Sequence, residues 1–185
     1  LSTLVLSTTN ATRTKISVEA SLNPDVKVDN VDHVIRILQG GSLLINDTIQ
    51  LNATQATTVT EYSLGFPYGY KNNLAYVYAF NTLNPSQIYN VLLDTGLGTN
   101  IGFYGVTVVF PQNGIQLSNG QVFRFTVSFV FLDIMSSSTT TFNDTEQTPP
   151  KVVTNPVVTV NFPMYPSLIQ NASLVNVTIV CPPKI

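Results

Sequence analysis

The chain has no tryptophan, one cysteine, one histidine and few charges: 8 Lys+Arg and 10 Asp+Glu in 185 residues, or 10% charged, against about 25% in an ordinary soluble domain. Each scarcity removes a class of function. A single cysteine, Cys181, cannot close an internal disulfide, so the chain is not a small scaffold stapled by bridges. It is expected to be an inert buried thiol at a strand end. A single histidine, His33, with no second histidine or nearby cysteine, gives no metal-ligand set and is expected to be a surface or satisfied residue. The net charge of −2 and the lack of a basic run exclude the positive stripe that nucleic acid requires, so no nucleic-acid partner is expected. No apolar run reaches the roughly 18 to 20 residues needed for a membrane span. There is no nucleophile elbow, no phosphate loop and no recognisable acid/base pair of carboxylates, so the expectation is no catalytic residue, no cofactor and no metal.

What is abundant is alternation with a period of two. It is clearest in 122–132, where Phe123, Phe125, Val127, Phe129 and Phe131 share one face while Arg124, Thr126 and Ser128 share the other. That is the pattern of a strand with one face in a core and one in solvent. Similar runs occupy 15–22, 34–38, 43–51, 57–64, 74–80, 88–93, 103–110, 152–162 and 174–180, separated by turn signals such as Asn23-Pro24-Asp25, Gly40-Gly41, Asn113-Gly114 and Asn119-Gly120. Such a succession of strands, with hardly a helical pattern, predicts an all-β fold: an antiparallel β-sandwich or jelly-roll-like domain. The polar interval 133–150, with its Ser/Thr run at 136–141, reads as a surface loop or exposed hairpin within that domain.

Residues 1–10 stand apart. Leu1, Thr3, Leu4, Val5, Leu6 and Thr8 form a short strand pattern cut off by a polar hinge, Asn10-Ala11-Thr12-Arg13-Thr14. The chain is expected to be one domain plus an arm: 1–14, an N-terminal strand and hinge, and 15–185, the β-sandwich. A start at Leu rather than Met fits removal of a targeting segment, and it fits an arbitrary chain boundary equally. The strand can pair inside its own domain or lend itself to the open edge of a neighbouring subunit.

Six Asn-x-Ser/Thr sequons occur, at Asn10, Asn46, Asn52, Asn143, Asn171 and Asn176. They fall on hinges, loops or outward-facing strand positions, as N-glycosylation demands. Asp25, Asp29 and Asp32 cluster in sequence, but their spacing is not that of a calcium loop and Lys27 intrudes, so a solvated acidic loop is expected. Tyr62, Phe66, Tyr68, Tyr70, Tyr76 and Tyr78 form an aromatic-rich segment that would suit either recognition or packing between subunits.

The detached N-terminal strand, the six sequon asparagines, the low charge and the β-rich domain resemble the subunits of crenarchaeal threads, the thin extracellular filaments of Sulfolobales. The resemblance spans the chain and rests on residues 1–10 and the sequons. It implies a secreted, N-glycosylated, extracellular surface protein with identical subunits and N-linked glycans as partners. It further implies head-to-tail polymerisation by donor-strand complementation, the strand of Leu1, Thr3, Leu4, Val5, Leu6 and Thr8 completing the fold of the next subunit. Adhesion or cell–cell contact would be the role, with no membrane span. Few ion pairs would suit an acid-bathed surface, where paired carboxylates lose their contribution on protonation. The alternative is a trimeric viral fibre head of adenovirus type, in which residues 1–10 would end a shaft. A secreted carbohydrate-binding module is a third possibility, but the chain lacks the tryptophan platform typical of that class.

Overall fold

The computed structural model describes residues 23–38, 40–144 and 151–181. It is an all-β fold, with thirteen strands among the described residues: β1 Val26–Ile37, β2 Leu43–Ala53, β3 Thr57–Val59, β4 Glu61–Pro67, β5 Leu74–Asn81, β6 Ile88–Leu93, β7 Phe103–Val109, β8 Ile115–Leu117, β9 Val122–Phe131, β10 Met135–Asp144, β11 Lys151–Val160, β12 Ser167–Leu168 and β13 Ala172–Val180, and a 3-10 turn at Tyr68–Asn73. Nine strands hydrogen-bond in the order β12-β4-β7-β6-β5-β9-β2-β1-β13. The joint between β5 and β6 is only two residue pairs wide, Ala79 with Tyr89 and Phe80 with Ile88. At that joint the sheet folds over, and the half containing β4 and β7 packs on the half containing β9 and β2. Aromatic rings join the halves: Phe66 of β4 meets Phe129 at 5.9 Å and Phe131 at 4.9 Å, edge to face. Tyr62 meets Phe125 at 5.5 Å, and Phe110 meets Phe125 at 5.2 Å. These geometries add to the burial of rings already removed from water.

The inward row of β9 is the one the alternation specifies: Phe123, Phe125, Val127, Phe129 and Phe131 are all in the core. Where alternation breaks, the chain has bulges. In β1, Val26 and Val28 face inward, and after a register shift between Val28 and Asn30 the inward set becomes Val31, His33 and Ile35. The extra residue flips every later side chain relative to a regular strand. That is why 26–33 reads as a loop in sequence yet is strand. A second shift, between Leu74 and Tyr76, puts Tyr76, Tyr78 and Phe80 on the outer face of β5.

Two further differences and one expected hairpin complete the fold. The expected strand 57–64 is two strands, because Thr57–Val59 pairs with β8 while Glu61–Pro67 pairs with β7. The polar interval contains β10, paired antiparallel with β11 as a separate two-stranded ribbon, so of its two expected forms the hairpin is the one observed. The sheet is also not wholly antiparallel. β13 lies parallel to β1, with Val31 beside Val175 and Ile35 beside Ile179. Gln170 fixes this entry, its side-chain amide donating to the carbonyls of Asn23 at 3.2 Å and Val26 at 3.4 Å.

Both faces of β4 and β7 are buried, because residues 94–102 cross the outer face and bury Leu97. Beneath that crossing, Ser63 and Thr107 share a 2.7 Å hydrogen bond, and Thr107 Oγ1 donates to Thr95 Oγ1 at 2.9 Å. Gly105 permits the close approach, since a Cβ there would collide with the Gly96 carbonyl. Gly105→Ala is therefore expected to destabilise the domain by about 1–3 kcal/mol or more through overpacking. Thermal melting checks this; an unchanged midpoint would mean the crossing segment can lift without loss.

Candidate assembly surface

β13 ends the nine-stranded sheet, so among the described residues one side of its backbone ladder is unpaired over nine residues. Its sequence, Ala172-Ser173-Leu174-Val175-Asn176-Val177-Thr178-Ile179-Val180, carries no charge, no proline and no bulge residue. Natural edge strands normally carry one of those protections. Its register with β1 sets which side chains face the core: Val175, Val177 and Ile179 stand beside Val31, His33 and Ile35. Coverage falls sharply between the two strands, Ile35 being 6% exposed and Ile179 50%. On the outer face, Leu174 and Val180 are exposed as well. The apolar row thus runs one strand further than the core that covers it.

Cys181 follows directly and is exposed. The expectation of a buried thiol is corrected in its burial but not in its place at a strand end. One step beyond the edge strand, Cys181 is left uncovered by the described residues.

The sequons divide by location. Asn171 and Asn176 are exposed, at the entry to β13 and on its outer face. The Asn176 side-chain amide donates to Asn30 Oδ1 at 3.1 Å and Asp32 Oδ1 at 2.8 Å. Asn46 and Asn52 are half-buried in β2. In the amide orientation that satisfies both of its ends, the Asn46 nitrogen donates to the Ile45 carbonyl at 3.2 Å and Ser128 Oγ at 2.8 Å, while its oxygen accepts from Arg36 Nη1 at 3.1 Å. Asn52 Nδ2 donates to Asp29 Oδ2 at 2.8 Å. Asn143 falls in β10 opposite Val152. Asn10, Leu1, Thr3, Leu4, Val5, Leu6 and Thr8 lie outside the described residues, as does the expected strand 15–22. An amide nitrogen held twice inside a sheet is a poorer acceptor than one in water, so glycan occupancy is expected to be highest at Asn171 and lowest at Asn46. Site-resolved glycopeptide mass spectrometry checks the order; full occupancy at Asn46 with none at Asn171 would reverse it.

The three aspartates do not form a loop cluster. Asp29 and Asp32 stand on β1 and accept from Asn52 and Asn176, while Asp25 in the preceding turn accepts from the Gln55 amide. The aromatic segment divides three ways. Tyr62 and Phe66 are core, and Tyr70 packs on Phe162 at 4.9 Å. Tyr68 is exposed beneath Lys71 Nζ, which lies 5.0 Å from its ring centroid and donates to Asp94 Oδ2 at 3.2 Å. Tyr76, Tyr78 and Phe80 form an outer ladder with 5.6 Å between successive ring centroids.

Of the two places expected for His33, surface or satisfied, the structure shows the second. The residue is not at the surface: it faces the core, directly across from Asp47 of β2, and the two side chains share a hydrogen bond. Burial pushes the Asp47 carboxyl above its ordinary range, with the His33 hydrogen bond and charge opposing that rise. The Tyr62 hydroxyl is raised in turn by burial and then by the Asp47 charge. His33 Nε2 and the Tyr62 hydroxyl have no hydrogen-bond partner among the described residues. His33 and Asp47 line, with Phe66, Phe129, Phe131 and Phe162, a cavity of about 10 Å³. That is room for one water and too little for an organic ligand.

No protein-family model matches the chain and no curated protein matches its sequence. Among solved structures, the chain is similar to an M1 zinc metallopeptidase from Deinococcus radiodurans, at 14% identity and a TM-score of 0.35 over 62% of this chain and 22% of that one. It is also similar to a candidate protease from Parabacteroides distasonis, at 8% identity and a TM-score of 0.28 over 75% and 36%. The chain therefore spans between a fifth and two fifths of the length of those proteins. No described helix is long and apolar enough to cross a membrane.

Proposed function

We propose that this chain is a non-enzymatic structural subunit of an extracellular surface filament, secreted and N-glycosylated, in which residues 1–9 of each subunit complete the sheet of the next. The filament would be thread-like and would support adhesion or cell–cell contact. The observation that carries the reading is a pairing of opposites. One end of the chain offers an apolar strand pattern set off by a hinge, and the other end offers β13, an uncharged edge whose core-facing side chains are half covered. A strand of one copy paired with an edge of the next makes a head-to-tail contact, which need not close and so builds a filament. The same open edge left bare would invite aggregation, which is a physical reason for such a chain to be found as a polymer.

Electron microscopy of the native material tests the reading. Thin filaments whose repeating unit is this chain are the expected result. Compact trimers would favour the viral fibre head instead, and dispersed monomers would overturn the assembly reading altogether.

A further inference from the structure

We infer that the outer ladder Tyr76, Tyr78 and Phe80 of β5 is a binding strip for a neutral oligosaccharide carried by another molecule, an activity that stands whether or not the chain polymerises. The backbone builds the strip. The register shift between Leu74 and Tyr76 turns these three side chains outward, while Ala79 is buried and Val77 packs on the core. The rings stand in single file at 5.6 Å intervals, inclined by 36° between Tyr76 and Tyr78 and by 21° between Tyr78 and Phe80. Tyr76 is 60% exposed and the other two are half-buried. One flank is open, because β6 pairs with β5 only at Ala79 and Phe80, and among the described residues no strand lies beside Tyr76 and Tyr78 on that side. The other flank supplies hydroxyls and amides. Tyr78 stands opposite Ser128 of β9, and Ser128 opposite Asn46 of β2; Phe80 stands opposite Thr126, and Thr126 opposite Thr48. Thr126 and Ser128 are buried. Thr126 Oγ1 lies 2.9 Å from Thr48 Oγ1 and 3.0 Å from Thr82 Oγ1, so the half-buried Thr48, Thr82 and Asn46 are held as a polar rim.

A sugar ring has C–H groups on one side to lie against an aromatic ring and hydroxyls around its edge to meet donors and acceptors. A file of rings edged with uncharged hydroxyls and amides matches that chemistry. It does not match the alternatives. Stacked nucleic-acid bases require a positively charged groove beside the rings, and the β9 and β2 residues beside Tyr78 and Phe80 carry no charge. A protein partner needs about 800 Å² of contact per side around an apolar centre, and three partly covered rings bordered by hydroxyls supply less. The chain's own sugars are badly placed to fill the strip. The Asn46 nitrogen is held twice, and Asn176 on β13 lies four strands from β5, about 19 Å at the usual strand spacing.

Calorimetry and tyrosine fluorescence, the latter unmixed with tryptophan in this chain, follow titration of the full chain with cellohexaose, mannohexaose and chitohexaose. Hexagalacturonate serves as the charged counterpart. Saturable binding of at least one neutral hexasaccharide is expected, with hexagalacturonate weaker. Tyr78→Ala should weaken that binding about tenfold, and Tyr76→Ala with Tyr78→Ala should abolish it. Tyr78→Phe keeps the ring and should retain it. Tyr165→Ala removes an exposed tyrosine that borders the inner row at Phe129 and Phe131, and it should leave binding unchanged. If the double variant fails to fold, Tyr76→Ala alone, at the most exposed ring, carries the comparison. Binding of none of the three neutral sugars, or binding that survives loss of the rings, would overturn the inference. Two other results would also overturn it. Self-association lost in the double variant, with no sugar bound, would make the strip a contact between copies. Binding by chain made without glycans but not by the natively glycosylated chain would give the strip to the chain's own sugars. None of these measurements requires a filament.

Discussion

Removal of residues 1–9 is expected to abolish polymerisation and leave a secreted, monomeric subunit. The contributions that would be lost are additive in kind. Burying Leu4 and Leu6 is worth about 1.5–3 kcal/mol each, and each ladder hydrogen bond adds roughly 0.5–1.5 kcal/mol net. Together they offset the cost of ordering the strand and fixing two subunits, about 4–15 kcal/mol. With all of them gone nothing offsets that cost, so elongation should fall below detection rather than slow. A second variant separates chemistry from length. Leu4→Asp with Leu6→Asp keeps the strand but puts two carboxylates at positions the proposed joint would bury, where each costs several kcal/mol unless it is protonated or expelled. It too should yield monomers, and partial rescue at a pH below about 4, where carboxyls protonate, would tie the defect to charge. Both variants would leave the proposed acceptor edge unfilled, so both should aggregate on concentration more than the intact polymer does. Sedimentation and microscopy read the outcome. Normal filaments from either variant would assign residues 1–9 to their own subunit.

The other large effect concerns the core. Asp47→Ala is expected to lower stability by about 3 kcal/mol, between the cost of an unsatisfied neutral group, roughly 1–3 kcal/mol, and that of a broken buried ion pair, roughly 3–5 kcal/mol. For a chain of this size that is a fall in Tm of about 6–12 °C. The pH dependence has a definite sign. Burial raises the Asp47 carboxyl in the folded state, against the opposing His33 hydrogen bond and charge. The folded protein then holds that proton more tightly than the unfolded chain does. Its contribution is fully present below the unfolded value near 3.9 and is lost as pH rises through the folded value. Most proteins lose stability in acid through their paired carboxylates; this carboxyl acts the other way. Asp47→Asn, which retains a hydrogen-bonding group but cannot ionise, should remove that dependence. Melting curves for both proteins at pH 3, 5 and 7 provide the comparison. An advantage of wild type over Asp47→Asn that grows toward neutral pH would show the ionised pair with His33 to be the stabilising form.

How far these features could be read beforehand depended on whether a local pattern carried them. The period-two run of β9 specifies its buried face without ambiguity, because every inward position is aromatic or Val. The outward placement of Asn176 and Thr178 was equally legible, from Val175, Val177 and Ile179 between and beside them. β1 was not, because the register shift near Asp29 splits one strand into two half-patterns that each look like loop. The His33–Asp47 pair had a signal that was overlooked. His33 stands between Val31 and Ile35, and Asp47 between Ile45 and Ile49, so both occupy core positions in alternating strands. A polar residue at such a position needs a partner, and each supplies the other's. The parallel pairing of β13 with β1 joins residues more than 140 positions apart, and no local periodicity encodes a choice of neighbour at that range. The division of the aromatic segment among core, 3-10 turn and outer ladder likewise follows from the bulge near Ala75 and from the fold of the sheet, not from composition.

The central claim is that the subunit carries a vacancy shaped for a strand from another copy, and peptide complementation tests it without requiring a filament. A synthetic peptide of residues 1–10 is titrated into the subunit lacking residues 1–9, with Tm and stoichiometry followed together. Strand donation predicts one peptide bound per subunit and a Tm that rises with peptide concentration. The expected stabilisation is about 2.7 kcal/mol at a hundredfold excess over Kd, or roughly 5–11 °C for a chain of this size. The same peptide with Leu4→Asp and Leu6→Asp should do neither. A subunit whose Tm is indifferent to the wild-type peptide at every concentration would contradict the account, because its fold would then be complete without a neighbour.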